Sequence, residues 1–236
     1  REHECEFLIF DETLISSLVL ADMEGTAPVE TTGQVRWYKR PTPGHTYMVS
    51  LDPSMGTGGD FAAIQVFELP TFEQVGEWQH NQTPMNQQVR ILQGINKHIH
   101  DTIMEKDSSA TPQIFYSMEN NSIGEAALMR VMDIGEENIM GMFLSEPIRK
   151  GHRRKFRRGF NTTAKHKIDA CTKFKELVEN DKMKIHSQLL ISELKDFVAS
   201  GMSYKAKPGQ HDDLVSSCLL MTRMMKVLAD FDPKIF

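Results

Sequence analysis

The chain has 236 residues, of which 40% are hydrophobic and 25% are charged, which is the composition of a folded domain and not of a disordered chain. Its formal net charge of −5 argues against a surface built throughout to bind nucleic acid. Three widely spaced cysteines form no CxxC pair, which argues against a disulfide framework or a zinc site and favours a reducing compartment.

Residues 1–35 are predicted to form an N-terminal arm ahead of a domain that spans residues 36–236. Residues 7–23 can hold a short helix, and residues 24–34 are polar and rich in turn formers. The sequence contains no apolar run long enough for a membrane span and no recognisable signal peptide. Because it starts with Arg1 and not with Met, we expect it to be a piece of a longer protein.

Three stretches that favour β-strands follow the arm. Residues 46–51 and 61–69 are short, apolar and compatible with strands. Residues 71–81 alternate between apolar and polar side chains, which predicts a hairpin partner with one solvent-facing side. Residues 85–106 carry apolar side chains near helical spacing and are predicted to form an amphipathic helix.

The next part of the chain alternates between strands and helices. Residues 113–120 are predicted to hold a fourth strand. A helix is predicted over residues 122–134, with Ser122 as its N-cap and Glu125 completing a capping box. Residues 138–144 are predicted to hold a short fifth strand.

The end of the chain is predicted to be mainly helical. Helices are expected over residues 162–182, 189–200 and 211–230. Gly201 is expected to stop the second of these helices, and residues 204–210 are expected to form a loop.

This order of elements predicts an α/β fold with a mixed five-stranded sheet and helices on both faces. The first three strands are close enough in the chain to pair antiparallel as successive hairpins. Strands that are separated by helices can join the same sheet as parallel neighbours. The first and fourth strands would then end at the same edge of the sheet.

Acidic residues stand at three matching places in this arrangement. Asp52 ends the first strand, Glu119 ends the fourth, and Asp212 and Asp213 open the last helix. Carboxylates that converge at one sheet edge repel each other unless cations neutralise them. Oxygen ligands of high charge suit Mg²⁺ or Mn²⁺, and a pair of such ions supports phosphodiester hydrolysis.

Each of these residues has a simpler interpretation when it is considered alone. Asp52 could be an ordinary turn residue, and Asp212 or Asp213 could be a helix N-cap. Asp60 is expected to fix a turn more than to bind metal, and His211 is expected at the surface or behind the metal ligands. The coincidence of acids at three matching positions is what favours metal-dependent phosphodiester chemistry.

The turn after Asp52 is rich in glycine. Gly56, Gly58 and Gly59 permit positive φ angles and a close approach of the backbone to a phosphate. The sequence contains no G-x-x-x-x-G-K-[ST] motif, so hydrolysis of ATP is not expected of this chain.

A strongly basic segment interrupts the otherwise acidic chain. Residues 149–158 include seven lysine or arginine residues and no acid: Arg149, Lys150, Arg153, Arg154, Lys155, Arg157 and Arg158. Such a segment is predicted to bind the phosphates of DNA, although a solvated loop or contact with another domain are alternatives. Lys165 and Lys167 could also offset phosphate charge, but exposed helix positions are the favoured interpretation.

Three stretches together resemble one known family, the C-terminal nuclease domain of the large terminase subunit of T-even-like tailed bacteriophages. They are YKRPTPGHTYMVSLDPSMGTGGDFAAI, YSMENNSIG and HDDLV, and the opening REHECEFL resembles the stretch that precedes that domain. The resemblance implies an RNase H-like fold and a metal-binding triad at Asp52, Glu119 and Asp213, with Asp212 as a neighbour that could join it. It also implies endonucleolytic cutting of concatemeric DNA at the start and end of genome packaging.

The resemblance further implies partners and a location. The partners are double-stranded DNA, an N-terminal ATPase domain that is absent here, the phage portal and the small terminase subunit, with no membrane. The location is the cytoplasm of the infected bacterial host. Two alternatives stay open: another RNase H-like nuclease, such as a ribonuclease H or a Holliday-junction resolvase, and a non-catalytic module that grips or docks DNA.

Overall fold

The computed structural model describes residues 12–147 and 158–231. The strands are β1 (Glu30–Thr32), β2 (Val35–Trp37), β3 (Thr46–Asp52), β4 (Ala62–Leu69), β5 (Glu73–His80), β6 (Gln113–Met118), β7 (Met142–Phe143), β8 (Phe197–Ser200) and β9 (Ser203–Ala206). The helices are α1 (Ser17–Asp22), α2 (Met85–Lys106), α3 (Gly124–Ile134), α4 (Ala164–Glu179), α5 (Gln188–Asp196) and α6 (Asp213–Phe231), and a 3₁₀ turn spans Glu136–Asn138.

Seven strands form one mixed sheet in the order β1-β2-β5-β4-β3-β6-β7, and β8 and β9 form a separate hairpin. Strands β3, β4 and β5 are antiparallel neighbours, whereas β6 pairs parallel with β3 and β7 pairs parallel with β6. The predicted mixed sheet and the antiparallel order of its first three strands are confirmed. The predicted number of five strands is wrong, because β1 and β2 extend the edge beside β5.

Helices cover both faces of the sheet, as predicted. Alternation along β3 sends Tyr47 and Val49 to the core under α2 and α3, and it sends Met48 to the core under α4, α5 and α6. None of the helices in the described ranges is both long and apolar enough to cross a membrane.

The described part of the predicted arm packs on the domain. Leu14, Ile15 and Leu20 are buried in the core beneath α4, α5 and α6. The N–H of Leu14 also donates to the carbonyl of Phe197 in β8 at 3.0 Å. These residues therefore contribute to the core, while residues 1–11 lie outside the described ranges.

The predicted solvent-facing side of β5 is buried instead. Gln74 and Glu77 are fully buried. The Ser187 hydroxyl, which precedes α5, donates to Glu77 at 2.6 Å, and the N–H groups of His186 and Ser187 donate to Gln74 at 2.8 Å. The alternation of apolar and polar side chains along β5 therefore reflects hydrogen bonds to residues at the start of α5 and not contact with water.

The second of the predicted C-terminal helices is shorter than expected. Helix α5 ends at Asp196, and the following residues form β8, so Gly201 lies in a hairpin turn at φ +60°. Part of the predicted loop over 204–210 belongs to β9. Phe197 is fully buried and is paired with the arm, so a tertiary contact overrides the local helical pattern here.

The predicted capping box at the start of α3 is also wrong. Helix α3 begins at Gly124, and the side-chain oxygen of Asn121 accepts from the N–H groups of Ile123 and Gly124 at 3.0 and 2.8 Å. A Cβ on Gly124 would lie 1.9 Å from the carbonyl oxygen of Glu119. The chain thus turns tightly after Glu119, and Asn121, not Ser122, provides the side-chain acceptor at this turn.

Candidate active site

Two parallel strand ends bring the first two acids together. Leu51 in β3 is paired with Met118 in β6, and the N–H of Glu119 donates to the carbonyl of Leu51 at 3.1 Å. Asp52 and Glu119 therefore leave the sheet side by side, which confirms the predicted meeting of the two strand ends. Their carboxyl groups stand within hydrogen-bonding reach of each other.

A reciprocal pair of serines fixes α6 across β3. The Ser217 hydroxyl donates to the carbonyl of Ser50 at 3.0 Å, and the Ser50 hydroxyl donates to the carbonyl of Ser217 at 2.9 Å. Ser50 lies two residues before Asp52, and Ser217 lies four residues after Asp213. This contact sets the start of α6, and with it Asp213, near the ends of β3 and β6.

The electrostatics of Asp52 reflect this crowding. Burial among protein atoms is the main cause that raises the pKa of Asp52 well above its ordinary range. The negative charges of Glu119, Asp213 and Asp212 raise it further. The protein environment therefore disfavours the charged form of the Asp52 carboxyl group.

Asp213 is the first residue of α6, and its neighbours include groups that raise its pKa and groups that lower it. Burial raises its pKa from the ordinary value of 3.8 to about 6, and the charges of Asp212 and Asp60 act in the same direction. A hydrogen bond from the N–H of Phe61 and the nearby His211 oppose this shift. His211 Nδ1 lies 3.7 Å from Asp213 Oδ2, and Asp60 is exposed at the end of its turn.

Asp212 makes a different contact. Its Oδ2 accepts from the N–H of Ala206 in β9 at 3.1 Å, which ties the hairpin of β8 and β9 to the start of α6. Its role as a metal ligand stays a prediction.

We call Asp52, Glu119, Asp212 and Asp213 the acid cluster. Within residues 12–147 and 158–231, none of its members forms an ion pair with a lysine or arginine. In that part of the chain, no three His, Cys, Asp or Glu side chains stand close enough together to hold a metal ion. The donors are hard carboxylate oxygens whose charges raise the pKa of one another, so their chemistry fits a divalent cation.

A cavity of about 180 Å³ opens beside the first two acids. Asp52 and Glu119 line it together with Lys167 and Arg223. Lys167 is half-buried, and its ammonium lies 5.5 Å from the centre of the Phe197 ring. The favoured interpretation of Lys167 as an exposed helix residue is therefore wrong.

Lys165, in contrast, is exposed as expected. It lines a separate cavity of about 420 Å³ on the other side of Arg223.

Sequence reasoning missed Arg223. Its guanidinium donates to the Thr162 hydroxyl at 2.9 Å and to the carbonyl of Asn161 at 3.1 Å, and it pairs with Glu146. A lone arginine in an apolar helix resembles a solvent-facing residue. The available signal was its spacing of seven residues from Ser216, which puts both on the face of α6 that lines the cavity.

The glycine-rich turn after Asp52 is closed by contacts within the protein. Gly56 and Gly58 have φ angles of +68° and +93°. A Cβ on Gly56 would lie 2.2 Å from the carbonyl oxygen of Thr83, and the N–H of Gly58 donates to the carbonyl of Asn81 at 2.8 Å. The close backbone approach that Gly56 permits is therefore to Thr83 and not to a phosphate.

The residue after Glu119 links the site to the end of the basic segment. Asn120 is buried, and its side-chain amide donates to the carbonyl of Arg158 at 2.8 Å. The guanidinium of Arg158 pairs with Glu136 and lies 5.4 Å from the centre of the Phe143 ring. Arg158 thus anchors this end of the segment, and its contact with DNA stays a prediction.

The other predicted DNA-binding residues lie outside the described residues: Arg149, Lys150, Arg153, Arg154, Lys155 and Arg157.

Comparison with protein families gives a match to one family model. The model, described as the terminase RNaseH-like domain, matches residues 49–224. The matched region contains all four members of the acid cluster, so the family model and the geometry of the site coincide on the same part of the chain.

Several solved structures share this fold. The large terminase nuclease of thermophilic phage G20c, crystallised with bound magnesium, is 17% identical with a TM-score of 0.65, over 90% of this chain and 97% of that chain. The large terminase nuclease domain of Thermus phage P74-26 is 17% identical with a TM-score of 0.60, over 86% and 92% of the two chains. The Mn-soaked, inhibitor-bound terminase nuclease domain of human cytomegalovirus is 13% identical with a TM-score of 0.54, over 90% and 94%.

Proposed function

The chain belongs to the terminase RNaseH-like domain family, and on that premise we propose that it is a metal-dependent DNA endonuclease domain of a viral large terminase. Its proposed role is to cut concatemeric double-stranded DNA when genome packaging starts and when it ends, in a tailed phage of the T-even-like type. One observation carries the proposal: Asp52 and Glu119 lie within hydrogen-bonding reach, beside Asp213, with no ion-paired lysine or arginine in the described ranges.

The residues that would hold the metal are Asp52, Glu119 and Asp213, with Asp212 as a further candidate. Mg²⁺ or Mn²⁺ fits these oxygen donors, and structural relatives of the fold have been crystallised with bound magnesium, cobalt and zinc or soaked with Mn. When two such ions are bound, they supply a nucleophile at neutral pH and neutralise charge on the leaving oxygen.

The chain's own residues then bind and orient the DNA strand. Asp52 interacts with Glu119 as well as with the charge of Asp213, so it would be the central ligand of a metal held there. Lys167 and Arg223 bring positive charge into the same cavity. Arg223 is largely committed to its contacts within the protein, so Lys167 is the better candidate for meeting a phosphate.

The same proposal includes the setting in which the domain works. Its partners would be an ATPase domain of the same large terminase, the small terminase subunit and the portal of the phage. Its place would be the cytoplasm of the infected bacterial host. His211 and Asp60, which flank Asp213, would support the metal ligands without binding metal themselves.

A substrate comparison tests this proposal. We expect cleavage of supercoiled plasmid and of linear duplex DNA with Mg²⁺ or Mn²⁺ and loss of cleavage with EDTA. A preference for an RNA–DNA hybrid would indicate a ribonuclease H, and a preference for a four-way junction would indicate a resolvase. DNA binding without cleavage under any of these conditions would favour a gripping or docking module and contradict the proposed enzyme.

A further inference from the structure

The start of α6 carries two consecutive aspartates, yet neither caps the helix. A residue at the N-cap usually accepts from the N–H two or three positions further on. Asp212 occupies that position but accepts from Ala206 in β9 at 3.1 Å. Asp213 accepts from the N–H of Phe61. The first N–H groups of α6 therefore need an acceptor from elsewhere in the protein.

Glu193 in α5 is that acceptor. Its Oε2 accepts from the N–H of Val215 at 3.1 Å, and its carboxyl group also meets the N–H of Leu214. Its Oε1 accepts from the side-chain amide of Gln79 at 2.9 Å. Both oxygens are occupied by the protein, so the side chain has a structural task at the start of α6.

The contact with Gln79 connects Glu193 to the row of the sheet that carries Asp52. Gln79 in β5 is paired with Ala63 in β4, and Ala63 is paired with Asp52 in β3. The Glu193 side chain therefore joins the first turn of α6 to the sheet row that contains Asp52. Adjacent strands lie about 4.8 Å apart, so this connection is short.

We propose that Glu193 is a positioning residue that caps α6 from α5 in place of Asp212, and that it thereby holds Asp213, the first residue of the helix, beside Asp52 and Glu119. This inference rests on the proposed function, in which those three acids bind divalent metal. Removal of the cap lets the first turn of α6 fray and moves Asp213 relative to the sheet, which weakens metal binding without removing a ligand.

The protonation of Glu193 does not alter this task. Burial raises the pKa of Glu193 to about 8, while the hydrogen bonds from Val215 and Gln79 act in the opposite direction. Charged and neutral carboxyl groups both keep oxygen lone pairs for these donors. A glutamine at this position also keeps one acceptor oxygen, so it is the conservative replacement.

The experiment compares Glu193→Ala and Glu193→Gln with a matched control. The control is Glu179→Ala, because Glu179 accepts from the N–H of Ser16 at 2.7 Å and so serves the start of α1 from another helix. Mn²⁺ binding is measured by calorimetry, and exchange of the Leu214 and Val215 amides is measured without metal. Changes to residues behind metal ligands usually cost about 10–100-fold in affinity.

We expect Glu193→Ala to weaken Mn²⁺ binding by about 10-fold or more and to speed exchange of both amides. Glu193→Gln should restore most of the affinity, and Glu179→Ala should leave it unchanged. Unchanged Mn²⁺ affinity in Glu193→Ala would overturn the inference while leaving the proposed function intact. A wild-type protein that neither binds Mn²⁺ nor cuts DNA would instead overturn the proposed function, and this inference with it.

A second variant decides the matter if Glu193→Ala does not fold. Glu193→Asp keeps the carboxyl group but shortens the side chain by one methylene, which withdraws it from the N–H of Val215. We expect weaker Mn²⁺ binding in this variant too, and equal affinity to the wild type would overturn the inference.

Discussion

The two ends of the hairpin formed by β4 and β5 both lie beside buried or half-buried carboxyl groups, but the charges around these groups are opposite. At one end, Asp52 pairs with the first strand residues of β4, and the acid cluster has no ion-paired lysine or arginine in the described ranges. Glu77 in the middle of the hairpin, and Glu68 and Glu73 at its other end, form a second group, which we call the ion-paired end. Each of these three forms an ion pair with a basic side chain.

Glu77 shows how complete the compensation at the ion-paired end is. It is fully buried, and its carboxylate accepts from Arg36 Nε at 3.0 Å. The Tyr38 hydroxyl donates to it at 2.8 Å, and the Ser187 hydroxyl donates at 2.6 Å. The hydrogen-bonding capacity of this buried carboxylate is therefore met within the protein.

Glu68 and Glu73 share one lysine. Lys39 Nζ lies 2.5 Å from Glu68 Oε1 and 2.8 Å from Glu73 Oε2. Burial by itself would raise the pKa of Glu73, but hydrogen bonds from Lys39, His186 and Lys184 lower it to about 2. The pKa of Asp213 in the acid cluster moves the other way, to about 6.

A buried carboxylate is therefore not by itself a sign of function. At the ion-paired end, the fold provides internal cations for its acids. Where it provides none, the acids raise the free energy of the apo protein, which is a cost that a bound divalent cation removes.

The largest expected effect comes from Asp52→Asn. This change removes charge from the centre of the acid cluster and nearly preserves shape, so we expect DNA cleavage to fall below detection. The free energy of unfolding of the apo protein should hold or rise, because repulsion is relieved. Plasmid nicking and thermal unfolding measure the two quantities. Near-wild-type nicking with Mg²⁺ would show that Asp52 is not a ligand.

The second largest expected effect is a difference in DNA cleavage between variants of Asp213 and Asp212. We expect Asp213→Ala to reduce cleavage more than Asp212→Ala. Consecutive side chains at a helix start point about 100° apart, and the Asp212 carboxylate is already held by Ala206. Parallel steady-state kinetics on both variants measure the difference. Equal losses would make both residues ligands, and a larger loss for Asp212→Ala would reverse the assignment.

At the ion-paired end, Glu77→Gln should have the opposite consequences to Asp52→Asn. The change leaves Arg36 without its carboxylate in a partly buried position. We expect a loss of about 1–3 kcal/mol in the free energy of unfolding, with cleavage per folded molecule retained. Urea unfolding and single-turnover cleavage report these values. A more stable Glu77→Gln variant would contradict the difference between the two ends.

The two ends should also respond to pH in opposite directions. The raised pKa of Asp213 means that apo-protein stability falls as pH rises from about 4 to about 6, since the folded state holds the proton more tightly there. The lowered pKa of Glu73 gives stability that is present above about 4.5 and is lost as pH falls toward about 2. Melting temperatures from pH 2 to pH 7 measure both trends.

Two variants assign these trends to their residues. Asp213→Asn should flatten the stability curve only in the upper window, and Glu73→Gln should flatten it only in the lower one. A variant that flattens the wrong window would contradict the assignment.

The smallest expected effect concerns the basic segment. If the side chains of Arg153, Arg154 and Arg157 meet phosphates, their replacement by alanine should make the slope of log K against log salt shallower by about 0.9 per lost contact. Arg130→Ala is the matched control, because Arg130 pairs with Asp133 at 2.9 Å on α3, outside the predicted DNA-binding segment, and its loss should change the slope little. DNA binding over a range of salt concentrations measures the slopes, and an unchanged slope in the triple variant would remove the segment from the DNA path.

The sequence predicted the part of the site that depends on strand order. Asp52 and Glu119 follow apolar strands whose separation by a helix makes them parallel neighbours, and their meeting follows from that topology. The sequence did not predict Arg223 or Glu193, because each acts through residues far away in the chain. The one local signal for Arg223, its spacing from Ser216, does not by itself distinguish it from an ordinary polar position on an amphipathic helix.

The errors in the fold have a similar origin. Strands β1 and β2 are three residues each, too short for a periodic pattern to reveal them. The polar residues of β5 suggested water, whereas they hydrogen-bond to residues before α5, more than 100 positions away. Gly201 resembled a helix stop because the buried contact of Phe197 with the arm cannot be read from the local sequence.

The most direct test of the central claim is a crystal of the protein soaked in Mn²⁺ and measured for anomalous scattering. We expect anomalous density between the carboxylates of Asp52, Glu119 and Asp213, with the Asp213 side chain turned inward from its present contact with Phe61. An absence of density there, in a protein that cuts DNA with Mn²⁺ in solution, would contradict the claim that these acids form the metal site.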